Sequence, residues 1–211
     1  MKLDCKLDKL KKIISDYGRM LVALSGGVDS IFLTAFAYKI WGDDRVAALT
    51  ATGPHFAPDE ALYAEQFCDR LGISHKLINT DYILPIIEDN PPDRCYHCKK
   101  AIFSELKSKA DIVGSILADG TNADDMNDYR PGYKALCELD IASPLKDAGL
   151  NKKEIRQALE DLASGDKSIE KAFTVSSPGG GTMMIWEKPA FACLASRIPY
   201  GESINSEKLT S

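Results

Sequence analysis

Two sets of residues in this 211-residue chain have the types and spacing to do chemistry. The first is Ser25-Gly26-Gly27-Val28-Asp29-Ser30. Two glycines let a backbone bend and close on an anion without Cβ clashes. A helix starting there would aim its free N–H groups and positive dipole end at that anion. Ser25 and Ser30 add hydroxyl donors, and Asp29 is placed to hold Mg²⁺ bridging phosphates. The loop lacks the Gly-Lys-Ser/Thr ending of the Walker motif. It therefore suits a leaving pyrophosphate better than γ-phosphoryl transfer. The plain structural reading is a Gly-Gly turn in which Asp29 only caps the helix.

The second set is made of thiols. Cys95 and Cys98 form a C-x-x-C within Asn90-Pro91-Pro92-Asp93-Arg94-Cys95-Tyr96-His97-Cys98-Lys99-Lys100, and Cys193 lies in a second stretch, Lys188 to Gly201. Three chemistries fit. Three thiolates hold a [4Fe–4S] cluster with one iron open for an extra sulfide. Alternatively, Zn²⁺ takes the three thiolates with His97 or His75. In the third reading Cys193 alone is the nucleophile and the C-x-x-C is structural. His97 between the two thiols reads as a neighbouring hydrogen-bond donor. Ser196 and Arg197 are candidates for substrate binding, Arg197 through a two-pronged contact to phosphate or carboxylate. The competing role for Arg197 is a surface ion pair with Glu187 or Glu202. Cys68 and Cys137 read as core residues and Cys5 as an exposed or half-buried thiol.

A third segment, Asp119-Gly120-Thr121-Asn122-Ala123-Asp124-Asp125-Met126-Asn127-Asp128, carries four carboxylates and no base. Such a cluster repels itself unless a cation neutralises it. Mg²⁺ with ATP supplies one, with Asp124 the leading ligand; Asp125 and Asp128 read equally well as a solvated Asx-turn loop.

The elements that must position these residues follow from hydrophobic spacing. Leu3, Leu7, Leu10, Ile14 and Tyr17 make one face of an opening helix that stops near Gly18. Short apolar runs at Met20–Leu24, Val46–Leu49, Lys76–Ile78 and Asp111–Ala118 predict strands, with a fifth at Leu139–Ala142. Helices are expected from Ile31 to Trp41, from Pro58 to Gly72, and from a capping box at Asn151 and Glu154 to about Leu162. Alternating strands and helices predict an α/β Rossmann-like parallel sheet covered on both faces. Right-handed crossovers bring the Ser25 turn, Thr52 and the Asp119-Gly120-Thr121 turn to the same sheet edge. Residues 164–183 break the alternation, and Ser176 to Gly181 reads as the turn of a hairpin or loop.

Composition narrows the classes. Apolar residues are 45% and charged residues 27%, ordinary for a globular chain and wrong for a disordered one. A net charge of −5 lacks the broad positive field of a nucleic-acid binder. There is no 18-residue apolar run for a membrane span and no apolar leader near the N-terminus. The expectation is a cytoplasmic protein with reduced thiols.

Taken together, SGGVDS, NPPDRCYHCKKAIF, DGTNADDMNDYRPG, Ser143-Pro144-Leu145 and KPAFACLASRIPYG resemble the LarE family of ATP-dependent sulfur transferases. SGGVDS alone resembles the PP-loop of the wider N-type ATP pyrophosphatases, which cleave ATP between its α and β phosphates. The resemblance implies a HUP-type (adenine nucleotide α-hydrolase-like) fold. It implies a PP-loop domain over 1–163, an insertion or hairpin over 164–185, and a cysteine-bearing segment over 186–211. That last segment would lead into a small C-terminal α/β domain, which this sequence does not include. It implies ATP bound by Ser25–Ser30, Thr52, Gly120 and Thr121. The substrate would be pyridinium-3,5-biscarboxylic acid mononucleotide, adenylylated on a carboxylate and then thiolated, for a nickel-pincer cofactor of lactate racemase-type enzymes. Family members differ in sulfur source: a sacrificial cysteine at the Cys193 position, or a [4Fe–4S] cluster on three cysteines, matched by Cys95, Cys98 and Cys193. The resemblance also implies a homo-oligomer and a source of replacement sulfide. The rival readings are a tRNA-thiolating enzyme, an amide-forming ligase of the NAD- or GMP-synthetase type, and a non-catalytic nucleotide- or cluster-binding protein.

Overall fold

Strand β1 (Met20–Ala23) has no charged residue because both of its faces are covered. Met20 and Val22 enter one apolar cluster, and Leu21 enters the other. The computed structural model describes residues 2–127, 131–165, 167–176, 180–189 and 192–210. In it β1 pairs in parallel with β2 (Val46–Thr52) on one side and β4 (Ile116–Ala118) on the other, and β2 pairs in parallel with β3 (Ser74–Asn79). The order is β3-β2-β1-β4.

Strand β2 runs three residues past its apolar stretch. Thr50 and Thr52 extend it because their hydroxyls find carbonyls, Leu24 O at 2.6 Å and Ile78 O at 3.3 Å. The expected fifth strand shrinks to a single parallel bridge between Ala118 and Ala142. Asp140 takes a φ of +52°, which turns the chain where a strand would need extension.

Helices α1 (Leu3–Tyr17), α2 (Val28–Trp41) and α3 (Pro58–Leu71) supply the cluster on one face, with α7 (Pro144–Ala148) and α8 (Lys152–Ser164). The other face is covered by α4 (Leu84–Ile87), α5 (Arg94–Ile112), α6 (Pro131–Glu138) and α10 (Ser206–Thr210). Leu10 and Ile14 of α1 are fully buried, as the three- and four-residue spacing predicts. Cys68 is buried in α3. Cys137 is exposed, against expectation: Ala135 and Leu136 turn the buried face of α6 inward, and the next residue faces out.

Residues 164–185 join this body. Helix α9 (Lys167–Ala172) leads into an antiparallel pair, β5 (Thr174–Ser176) with β6 (Thr182–Met184). Ser177, Pro178 and Gly179 of the turn cluster lie outside the described residues. Phe173 is fully buried and stacks on Phe67 with ring centres 5.8 Å apart. Among the described residues no helix is long and apolar enough to cross a membrane.

The start of α8 is held by a complete capping box. Asn151 Oδ1 accepts from Glu154 N at 2.8 Å, and Asn151 N donates to Glu154 Oε2 at 3.0 Å. Lys6 of α1 also binds that carboxylate at 2.6 Å. The cap places Lys152 at the first helical position. Asn151→Ala should therefore lower unfolding free energy by about 1 kcal/mol in a urea titration.

Candidate active site

Chain order reverses at β1: β2 and β3 follow on one side, β4 on the other. The crevice beyond the carboxyl ends of β1 and β4 is where such sheets bind ligands. Two turns meet there at backbone distance. A Cβ on Gly120 would stand 2.8 Å from Ser30 N, and one on Gly26 would stand 2.0 Å from Glu60 O. Gly26 also takes a φ of +75°. Both positions require glycine, one for approach and one for approach and conformation.

A cavity of about 1060 Å³ opens at this edge. That exceeds the roughly 300–1,000 Å³ of typical small-molecule sites and leaves room for two ligands. Ser25, Gly27, Val28, Asp29, Ser30, Thr52, Gly120 and Thr121 line it. The Ser25 and Ser30 hydroxyls lie 3.1 Å apart, and Ser30 Oγ donates to Gly27 O at 3.1 Å, so they are gathered at the start of α2. Thr121 donates to the buried Asp119 carboxylate, and Ser143 Oγ donates to its other oxygen at 2.7 Å. Asp119 thereby anchors the second turn.

Asp29 faces the cavity with its two oxygens in different states. Oδ2 accepts from Lys152 Nζ at 2.5 Å and from Asn122 Nδ2 at 3.3 Å. Oδ1 is buried with no hydrogen-bond partner among the described residues. Burial pushes the Asp29 carboxyl up, and Lys152 opposes that push. An acceptor oxygen without a donor, beside a second cavity-lining carboxylate, Asp125, fits a divalent cation. Asp124 does not stand on that wall. It is exposed, and its Oδ2 accepts from Lys152 N at 2.9 Å.

Lys152 and Arg156, one turn apart on α8, also line the cavity. They were not legible as site residues, because they come from a helix more than a hundred positions after the glycine loop. Lys188 was missed too. It is 2% exposed, and its Nζ donates to Gly26 O at 3.0 Å and to Glu60 Oε1 at 3.2 Å, over the Tyr63 ring.

The thiols come to the same cavity from the other direction. Cys95, Cys98 and Cys193 all line it. Burial pushes the Cys98 thiol up to about 12, and the nearby Cys193 and Cys95 sulfurs add to the push. Burial also raises Cys193, while its bond from Ser196 and the nearby Arg94 charge act against it. Three sulfurs close enough to feel one another on one wall fit a group with soft ligands on one side only. Among the described residues, however, no three Cys, His, Asp or Glu side chains are drawn together tightly enough to count as a metal site.

Asn90 explains how residues a hundred positions apart meet. It is fully buried, with a φ of +50°. Its Nδ2 donates to Pro199 O at 2.7 Å and Glu202 O at 2.9 Å, and its carbonyl accepts from Gly201 N at 3.0 Å. Its Oδ1 accepts from Arg94. Arg94 is itself buried, lies 4.5 Å from the centre of the Tyr200 ring, and has no carboxylate in salt-bridge reach among the described residues.

His55 also lines the wall, with Nε2 at 3.8 Å from Cys98 Sγ, and burial lowers its pKa to about 4. The histidines expected near the thiols stand elsewhere. His97 is half-buried and pairs with Asp93 at 3.2 Å, and His75 Nε2 bonds Thr50 Oγ1 at 2.8 Å. Ser196 and Arg197 are exposed and off the cavity wall; Ser196 Oγ donates to Cys193 O at 2.7 Å.

A glycine-rich loop at the switch point of a parallel sheet, opening on a cavity that Lys152 and Arg156 also line, defines a PP-loop nucleotide-binding protein. The NAD synthase family model matches residues 5–112. The chain is 36% identical to an uncharacterised protein of Synechocystis sp., over 98% of this chain and 70% of that one. It is 30% identical to a pyridinium-3,5-bisthiocarboxylic acid mononucleotide synthase of Lactiplantibacillus plantarum, over 98% of this chain and 69% of that one. In fold it is similar to a glutamine-dependent NAD⁺ synthetase of Acinetobacter baumannii, solved with ADP, at a TM-score of 0.64 and 18% identity. That match covers 78% of this chain and 33% of the synthetase. The chain belongs to the LarE family of PP-loop, ATP-dependent enzymes.

Two outcomes test this geometry. Asn90→Ala should cost about 2–4 kcal/mol in denaturant unfolding, because it strands the Pro199 and Glu202 carbonyls and takes an acceptor from the Arg94 guanidinium. In the native chain an alkylating reagent should label the exposed Cys5 and Cys137 first. Cys68, buried and pushed up to about 12, should stay unlabelled until the protein unfolds.

Proposed function

We propose that this chain activates a carboxylate as its adenylate at the glycine loop and hands sulfur to it from the thiol wall. The observation that carries the reading is that the loop and all three thiols face one cavity. An amide-forming ligase would use ammonia and has no need of three thiols there. The net charge of −5 likewise favours a small substrate over tRNA.

In this reading a substrate carboxylate oxygen attacks the α-phosphorus of ATP. The bond from that phosphorus to the bridging oxygen breaks, and pyrophosphate leaves into the loop. The α2 N-terminus and the Ser25 and Ser30 hydroxyls receive it. Lys152, beside Asp29, and Arg156 one turn further on balance its charge. Asp29, with Asp125, would hold Mg²⁺, which supplies charge neutralisation between the phosphates. A two-electron sulfur nucleophile then attacks the acyl carbon, AMP leaves with the bonding pair, and a thiocarboxylate remains.

Cys95, Cys98 and Cys193 would hold a [4Fe–4S] cluster, which when bound supplies replaceable sulfide at the wall and spares the polypeptide. Without it, Cys193 would give up its own sulfur: its Cβ–S bond breaks, Cα loses a proton, and dehydroalanine is left. The similarity to the Lactiplantibacillus synthase supports pyridinium-3,5-biscarboxylic acid mononucleotide as the substrate, on the way to a nickel-pincer cofactor.

ATP–pyrophosphate exchange in the presence of that dicarboxylate mononucleotide is the deciving measurement for activation. Native protein should exchange, Asp29→Asn should lose exchange altogether, and Lys152→Ala should lose about a hundredfold. Binding of ATP without exchange would refute the reading. For the sulfur source, oxygen-free reconstitution should give about four irons per chain with matching labile sulfide. Mass spectrometry after turnover should show Cys193 intact. Loss of sulfur from Cys193 would assign the sacrificial route instead.

A further inference from the structure

His55 has no part in the phosphate grip and is not one of the three thiols, yet it is built into the thiol wall. Its ring is 1% exposed and packs on Phe56 with centres 4.1 Å apart. Gly53 makes room for it: a Cβ there would stand 3.4 Å from His55 Cε1 and 3.0 Å from Thr80 Oγ1. The His55 carbonyl accepts from Leu194 N at 2.9 Å, so the residue also fastens the turn that begins at Cys193.

The two ring nitrogens differ. Nε2 lies 3.8 Å from Cys98 Sγ, within reach of a sulfur hydrogen bond, whereas Nδ1 is buried with no partner among the described residues. A neutral imidazole carries one N–H. A proton on Nδ1 would strand a buried donor, which folded proteins rarely tolerate. A proton on Nε2 strands only a lone pair and aims the donor at sulfur. The Nε2–H tautomer therefore satisfies the site, and it needs an acceptor. The Cys98 sulfur is the acceptor in reach, weak as a thiol and strong as a bare or iron-bound thiolate.

We propose that His55 is a positioning residue that donates its Nε2–H to the Cys98 sulfur in the state in which that sulfur serves as a ligand. The inference rests on the reading of the wall as a sulfur-delivery site. It gives His55 the task of orienting Cys98 and stabilising its negative charge without itself binding metal. Through its carbonyl the same residue sets the spacing between Cys98 and the Cys193 turn.

The test uses the full-length chain, reduced and metal-free, with iodoacetamide as the probe. Labelling of Cys98 is followed peptide by peptide against Cys95 in the same molecule. His55→Phe keeps a ring and removes the donor, and His55→Gln keeps an N–H. The Cys98 rate relative to Cys95 should fall about tenfold in His55→Phe and return toward native in His55→Gln. Equal ratios in native and His55→Phe protein, or no recovery in His55→Gln, would overturn the proposal. Cys68 reports folding in each sample; should it open in His55→Phe, His55→Ala takes its place under the same criteria. Iron binding and pyrophosphate exchange judge the functional reading separately. A native chain that takes up no iron defeats the cluster and still leaves the labelling ratios to decide His55.

Discussion

The site depends on a knot tied by Asn90. One side chain and its carbonyl bind three backbone groups of the segment from Pro199 to Glu202, and Arg94 closes the knot from inside. Its φ of +50° is a conformation that asparagine tolerates better than most residues. With the Arg94 bond to Ile198 O and the Ile204 N bond to Glu88 O, this fastening adds direction to the apolar packing that holds the C-x-x-C helix and the Cys193 turn in register. Hydrophobic contact is non-directional and fills space; hydrogen bonds from a buried amide fix a position. The long NPPDRCYHC string thus begins with a fastener and ends with what it fastens.

Charge is arranged around the cavity with the same economy. The wall brings Lys152 and Arg156 toward a loop whose own conspicuous charge is Asp29, and Lys188 holds that loop from beneath. The lining sets Arg94, Lys99, Lys152 and Arg156 against Asp29, Glu60, Asp119 and Asp125. The placement of these charges makes the local field that a polyphosphate senses. Arg94 adds a buried guanidinium near Cys193 with no acidic partner among the described residues, a costly placement unless negative sulfur repays it.

Much of this was legible from residue spacing. The opening helix, β1, the loop, α2, α3 and the capping box of α8 all follow from periodicity and terminal residues, which are local properties. The merging of the two turns at the sheet edge follows from the handedness of crossovers. What could not be read was side-chain direction across long sequence gaps. His55 looked like one more loop residue because nothing local marks a ring that will turn toward Cys98. Asp124 and Asp125 are adjacent and chemically identical, and only the turn they form decides which one faces the cavity. Cys137 was misplaced because a short helix has too few apolar positions to define its buried side, and Leu139–Ala142 failed as a strand because of the left-handed Asp140.

Lys188 carries a consequence for how the two halves of the site move. Its ammonium grips the carbonyl of Gly26, while its backbone lies five positions before Cys193. The glycine bend and the chain at the head of the Cys193 segment therefore share one rivet, hidden from water. A pull on either end is felt at the other through a single lysine's length.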